Sequence, residues 1–154
     1  MGTGEANLAG ECEYGVGILK STDGGYSWSQ LGAAVFANLS ISKIIIDPIQ
    51  PLTMWAATTY GEHGFICSKS SGNSGIYKTT DGGVTWSNVR FPTGDITDLV
   101  MDPLNPLVLY AARNYVGVYK TTDGWNRAGT LLAGGLPVAT WYRIAPVVHP
   151  TPPH

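Results

Sequence analysis

The chain matches itself. Gly17-Ile18-Leu19-Lys20-Ser21-Thr22-Asp23-Gly24-Gly25-Tyr26-Ser27-Trp28 aligns with Gly75-Ile76-Tyr77-Lys78-Thr79-Thr80-Asp81-Gly82-Gly83-Val84-Thr85-Trp86. A third copy opens at Gly117-Val118-Tyr119-Lys120-Thr121-Thr122-Asp123-Gly124 and then degenerates. Asp23, Asp81 and Asp123 mark spacings of 58 and 42 residues. A second block recurs at an offset of 55, with Ile44-Ile45-Ile46-Asp47-Pro48 to Trp55-Ala56-Ala57 aligning with Leu99-Val100-Met101-Asp102-Pro103 to Tyr110-Ala111-Ala112. The two offsets differ by 13 residues, an insertion that falls in the Gly- and Ser-rich stretch 58–74. Self-similarity at such periods means a unit that buries its apolar faces only by stacking on its neighbours.

Each unit reads as four short strands: the apolar run before Asp-Pro, the run ending Trp-Ala-Ala or Tyr-Ala-Ala, Gly-Ile-Tyr-Lys, and Thr-Trp-Ser-Asn-Val. Asp-Pro-x-x-Pro is turn chemistry, because Pro presets φ and cannot continue a ladder. Asp-Gly-Gly marks a hairpin, with Gly supplying positive φ. Twenty Gly and ten Pro leave little room for long helices, and the five Trp and eight Tyr favour pleated surfaces. Four strands recurring in this way predict an all-β chain, a partial, open β-propeller of four-stranded antiparallel blades. The reading is one partial propeller domain over 1–154: the end of a blade at 1–32, full blades at 38–91 and 94–136, and the first strand of a further blade at 140–154. Propellers close with about four to eight blades, so the expectation is a chain that needs remaining blades or self-association. The third hairpin, Thr122-Asp123-Gly124-Trp125-Asn126-Arg127, lacks the second Gly and shifts its Trp, which predicts a looser or differently turned hairpin.

Ser21-Thr22-Asp23-Gly24-Gly25-Tyr26-Ser27-Trp28 and Thr79 to Trp86 fit Ser/Thr-x-Asp-x-Gly-x-x-Trp, so the chain resembles the Asp-box (BNR) propeller proteins. These include sialidases, xyloglucan-active glycoside hydrolases, sortilin-like receptors and photosystem II assembly factors. The resemblance implies a structural box (Ser21, Asp23, Gly25 and Trp28; Thr79, Asp81, Gly83 and Trp86; Asp123) on the blade edge away from the ligand face. It also implies an extracellular or periplasmic setting, although the first residues have neither the basic region nor the apolar core of a signal peptide.

The opposite edge would carry the ligand-binding loop face. Candidates there are Glu5, Asn7, Glu13, Tyr14, Tyr60, Glu62, His63, Arg113 and Tyr115, with Asp95 and Glu62 as weak catalytic candidates. Acids mixed with aromatics suit a glycan, whose sugar faces stack on rings and whose hydroxyls donate to carboxylates; a solvated loop surface is the plainer reading. Glycosidases use two carboxylates about 5 to 10 Å apart, a separation that sequence does not fix. Tyr142-Arg143-Ile144-Ala145-Pro146 is similar to the Phe/Tyr-Arg-Ile-Pro motif of sialidases, but carries an extra Ala and follows the boxes instead of preceding them. Lys20 to Gly25 reads as another Asp box rather than as the catalytic segment of the xyloglucan-active enzymes.

Cys12 and Cys67 fall in equivalent loops; a disulfide between them and two thiols are both open readings. No zinc spacing, P-loop, dinucleotide fingerprint or nucleophile elbow is present, so neither metal nor cofactor is expected. Lys and Arg total 9 against 11 Asp and Glu, a net charge of −2 that offers no field for nucleic acid. No apolar stretch reaches the 18 residues of a membrane span. The function expected is a secreted propeller module, non-catalytic on its own, that binds glycan or protein or acts as a scaffold. The alternative is a fragment of a xyloglucanase-like or sialidase-like glycoside hydrolase.

Overall fold

The computed structural model of the chain describes residues 1–4, 6, 15–60, 73–132 and 144–149. Among these residues there are ten strands and no helix. They are β1 (Ile18–Lys20), β2 (Ser29–Leu31), β3 (Leu39–Ile46), β4 (Met54–Tyr60), β5 (Ile76–Thr79), β6 (Ser87–Arg90), β7 (Ile96–Asp102), β8 (Asn105–Arg113), β9 (Gly117–Thr121) and β10 (Thr130–Leu131). They form three antiparallel sheets in chain order: β1-β2, β3-β4-β5-β6 and β7-β8-β9-β10. Gly2 bridges Ile18 and so adds a strand position beside β1.

Alternation along a strand sends successive side chains to opposite faces. On β4, Met54 and Ala56 enter a core shared with Ile18, Phe36 and Trp86, whereas Trp55 and Ala57 enter a second core with Leu99, Leu109 and Trp125. The middle sheet is therefore covered on both faces, which is why β4 is buried continuously from Met54 to Thr59 and not at alternate positions. Between β3 and β4 the Asp47 carboxylate accepts the N–H groups of Ile49 (2.8 Å) and Gln50 (3.1 Å), the Asx-turn that the Asp-Pro connector calls for. Asp102 repeats this toward Leu104 N–H at 2.8 Å. One edge of each sheet also steps onto the next: Ser42 Oγ donates to Ile96 O at 2.5 Å, and Thr97 Oγ1 donates to Ile144 O at 3.2 Å.

The third hairpin is turned differently, not loosened. Gly82 and Gly83 sit at φ 76° and 96°, and Gly124 and Trp125 take the matching places at 65° and 64°. Thr79 Oγ1 accepts Gly83 N–H (3.1 Å), and Thr121 Oγ1 accepts Trp125 N–H (3.2 Å). The tryptophan has moved into the position of the second glycine, so of the two expected outcomes the differently turned hairpin is the one found. A left-handed conformation is costly for a residue with a Cβ, and burial of the whole indole offsets it. Gly129 makes room: a Cβ there would lie 2.5 Å from Trp125 Cζ3 and 2.7 Å from Lys120 O.

Candidate functional site

The sheets have two ends with different chemistry. At the first, the hairpins of Asp23, Asp81 and Asp123 line up with the Asp47 and Asp102 turns, as when Gly82 N–H donates to Leu52 O and Gly124 N–H to Leu107 O, both at 2.9 Å. Each aspartate accepts hydrogen bonds from its own turn. Asp81 accepts the hydroxyls of Thr79 (2.6 Å) and Thr85 (2.5 Å) and the N–H of Thr85 (3.0 Å). Asp23 accepts the hydroxyls of Ser27 (2.5 Å) and Ser21 (2.8 Å) and the N–H of Ser27 (2.9 Å). These donors hold the Asp23 and Asp81 carboxyls well below the usual carboxylate range, with Ser27 contributing most for Asp23 and Thr79 for Asp81. The Thr121 hydroxyl lowers Asp123 in the same way. Such acids are ionised and bonded to their own turns, which suits them to fixing a turn.

The same end carries a bond between neighbouring sheets that sequence reading missed. Lys20 Nζ donates to Gly82 O at 3.4 Å, and Lys78 Nζ donates to Gly124 O at 3.3 Å. Trp55 Nε1 donates to that same Gly124 carbonyl at 3.1 Å, and Lys78 lies 5.3 Å over the Trp55 ring. Burial lowers the pKa of Lys78, while Asp123 and Asp47 push it back up. The available signal was a lysine at the same place in all three copies: Lys20, Lys78 and Lys120.

At the opposite end, Asp95 joins the last two sheets. Its carboxylate accepts Tyr60 N–H from the end of β4 at 2.7 Å, and its carbonyl accepts Asn114 N–H from the end of β8 at 2.9 Å. Arg113 lies across the Phe91 ring, its guanidinium carbon 5.3 Å from the centroid. Gly94 allows this, since a Cβ there would lie 2.6 Å from Arg113 Nε. Tyr115, two residues on at φ 60°, is 45% exposed, and Asn114 Oδ1 is buried with no partner among the described residues. Asp98 is held by Lys43 at 3.6 Å and accepts the N–H of Leu99. The structure thus brings the Tyr60 N–H, Asp95 and Arg113 to one inter-sheet junction, with Tyr115 two residues beyond Arg113, whereas the Tyr60 ring packs against the first core. Glu5, Asn7, Glu13, Tyr14, Glu62, His63, Cys12 and Cys67 lie outside the described residues. Among the described residues no three His, Cys, Asp or Glu side chains come together.

No protein-family model matches the chain, and no curated protein matches it. Among solved structures it is similar to an ancestral GH74 enzyme, a β-propeller glycoside hydrolase, with a TM-score of 0.57 and 22% identity over 82% of this chain. The chain spans 17% of the length of that enzyme. At this identity the likeness speaks to fold. Together with the two four-stranded antiparallel sheets packed in sequence, it makes this chain an all-β, open portion of a β-propeller.

Proposed function

We propose that the chain is an Asp-box module of a secreted propeller protein, non-catalytic by itself, that binds a glycan or a protein segment through the end carrying Asp95. The observation that carries this reading is the use to which the acids are put. Asp95 fastens β4 to β8, Asp98 pairs with Lys43, and the three hairpin aspartates are bonded to their own turns. Glycosidic cleavage calls for one protonated and one ionised carboxyl facing a common bond, and these acids are committed to the scaffold. Arg113 and Tyr115 meanwhile add a guanidinium, a ring face and a hydroxyl at the same end, the mixture that holds a polyhydroxylated or peptide ligand. The Asp-box assignment rests on the shared bonding of the three hairpins, and the extracellular or periplasmic setting rests on that resemblance.

The test is a glycan-array screen of the chain, followed by calorimetry of any hit with Arg113→Ala and Tyr115→Ala. Binding that falls about tenfold or more in each variant is expected, in line with the loss of one anchor. Hits unaffected by both variants, or no hits among glycans or displayed peptides, would sink the proposal. The second reading, a portion of a glycoside hydrolase, draws on the likeness to the GH74 enzyme. Turnover of xyloglucan or an aryl glycoside that disappears in Asp95→Asn while the fold is kept would favour it.

A further inference from the structure

The three hairpins share a turn and differ in charge. Ser27 and Thr85 stand four residues after their aspartates, and each hydroxyl donates to the carboxylate at 2.5 Å. In the third hairpin that place is held by Arg127. Asp123 is served instead by the Thr121 hydroxyl at 2.8 Å and the Asn126 N–H at 3.1 Å. The exposed Arg127 guanidinium makes no hydrogen bond or ion pair among the described residues, and its charge acts on Asp123 only through space.

Arg127 lines a crevice of about 230 Å³ together with Lys120, Thr122, Asp123, Ala128 and Thr130, and every residue of its wall is described. Lys120 and Thr130 face one another in register across β9 and β10. The Lys120 ammonium stands 5.4 Å over the Tyr110 ring and makes no hydrogen bond or ion pair among the described residues. Nor do the hydroxyls of the exposed Thr122 and Thr130. Gly129 keeps the crevice open, because a Cβ there would collide with the buried indole of Trp125 and with Lys120 O.

Two further cations hold this hairpin from the neighbouring sheet. Lys78 Nζ donates to Gly124 O at 3.3 Å and to Asn126 Oδ1 at 3.1 Å, and Arg90 Nε donates to Arg127 O at 2.8 Å. Four of the nine Lys and Arg residues therefore gather on one hairpin of a chain whose net charge is −2, and Asp123 is the single acid between Gly117 and Leu131. Two of the four are spent on carbonyl and amide oxygens. The other two, Lys120 and Arg127, keep their donors for something else.

We propose that this crevice binds an oxyanion, the sulfate or phosphate group of a ligand, through the Arg127 guanidinium and the Lys120 ammonium, with the Thr122 and Thr130 hydroxyls as further donors. A planar guanidinium presents a fork of N–H groups that matches two oxygens of such an anion, and a lysine adds a point charge on a flexible stem. Asp123 opposes the anion, but its carboxylate already accepts from Thr121 and Asn126, and two cations face it. The Arg90 bond to the Arg127 carbonyl fixes where the guanidinium leaves the backbone. The crevice lies at the hairpin end, opposite Asp95, so it stands or falls independently of the ligand proposed there.

Amide NMR spectra of the isotopically labelled chain decide this, titrated with inorganic sulfate and with inorganic phosphate against chloride at matched ionic strength. The expected result is a set of saturable shifts at Thr122, Arg127 and Thr130, with a dissociation constant of about 1–10 mM for so exposed a contact. Arg127→Gln and Lys120→Met should each weaken binding at least about threefold, and together remove it, whereas Lys43→Gln, a cation lost from another strand, should leave it unchanged. A galactose sulfate ester, with galactose as its blank, separates the sources of the anion. Tighter binding of the ester than of inorganic sulfate assigns the group to a glycan, and equal binding assigns it to the free ion; either supports the site. Shifts that never saturate would overturn the proposal, as would affinities that Arg127→Gln and Lys120→Met both leave untouched while their spectra keep native dispersion.

Discussion

The two buried hairpins reach one arrangement by different routes. In the first core, Phe36 packs edge-on against Tyr77 (5.0 Å) and Trp86 (5.2 Å). In the second, Phe91 packs against Tyr119 (4.7 Å) and Trp125 (5.8 Å). The tyrosines occupy matching places in the repeat, but the other members do not. Phe36 comes from a turn closed by Phe36 N–H donating to Gly32 O at 2.8 Å, and Phe91 follows directly on β6 at φ 57°. Trp86 stands five residues after its aspartate and Trp125 two. What the fold holds constant is a trio of rings between sheets, and the backbone bends to deliver them. The shift has a cost: Trp86 Nε1 donates to Gly83 O at 3.0 Å, whereas Trp125 Nε1 is buried with no partner among the described residues.

That contrast can be broken most severely by truncation. Trp86→Ala and Trp125→Ala should each lower unfolding free energy in urea by about 3–5 kcal/mol, because both empty a packed inter-sheet site. Trp28→Ala should cost clearly less, since half of that side chain is already exposed. Equal losses at all three positions would contradict the ring-trio account. Phenylalanine gives a finer test. Trp86→Phe forfeits the bond to Gly83 O and Trp125→Phe forfeits none, so Trp86→Phe should be the costlier by about 1 kcal/mol.

The smallest effect lies in the acid limb. Asp81 has a folded pKa below its unfolded value, so its contribution is complete above the ordinary carboxylate range and is lost as pH falls from about 4 toward the lowered value. Asp81→Asn should therefore flatten the loss of stability below pH ~4 while changing little of the slope above it. Asp123, with one hydroxyl donor where Asp81 has two, should show a weaker flattening as Asp123→Asn. Stability measured across the acid range in the two variants checks the order.

Much of the architecture was legible because it rests on local rules. Asp-Pro fixed the β3–β4 turn, Asp-Gly-Gly fixed the positive-φ pair, and the apolar runs fixed the strands, each through dihedral limits and near-neighbour bonds that any chain obeys. Strand boundaries moved: the second strand runs past Ala57 to Tyr60, and the fourth begins at Ser87, after Trp86, whose indole is tethered back to Gly83 O. At the candidate site, composition marked Asp95, Arg113 and Tyr115 as polar or aromatic residues in loops. It did not show that the Asp95 carboxylate would receive Tyr60 N–H from 35 residues away.

By itself, then, the sequence determined the repeat, the four-strand unit, the turns and the all-β class. Tertiary structure alone decided that Phe36 and Phe91, or Trp86 and Trp125, are equivalent, that Lys78 and Trp55 share the Gly124 carbonyl, and that Asp95 fastens two sheets. The physical reason is reach. Turn and strand preferences are settled within a few residues, whereas ring packing and the satisfaction of a buried carbonyl or carboxylate depend on atoms that only a neighbouring sheet brings within 3–6 Å.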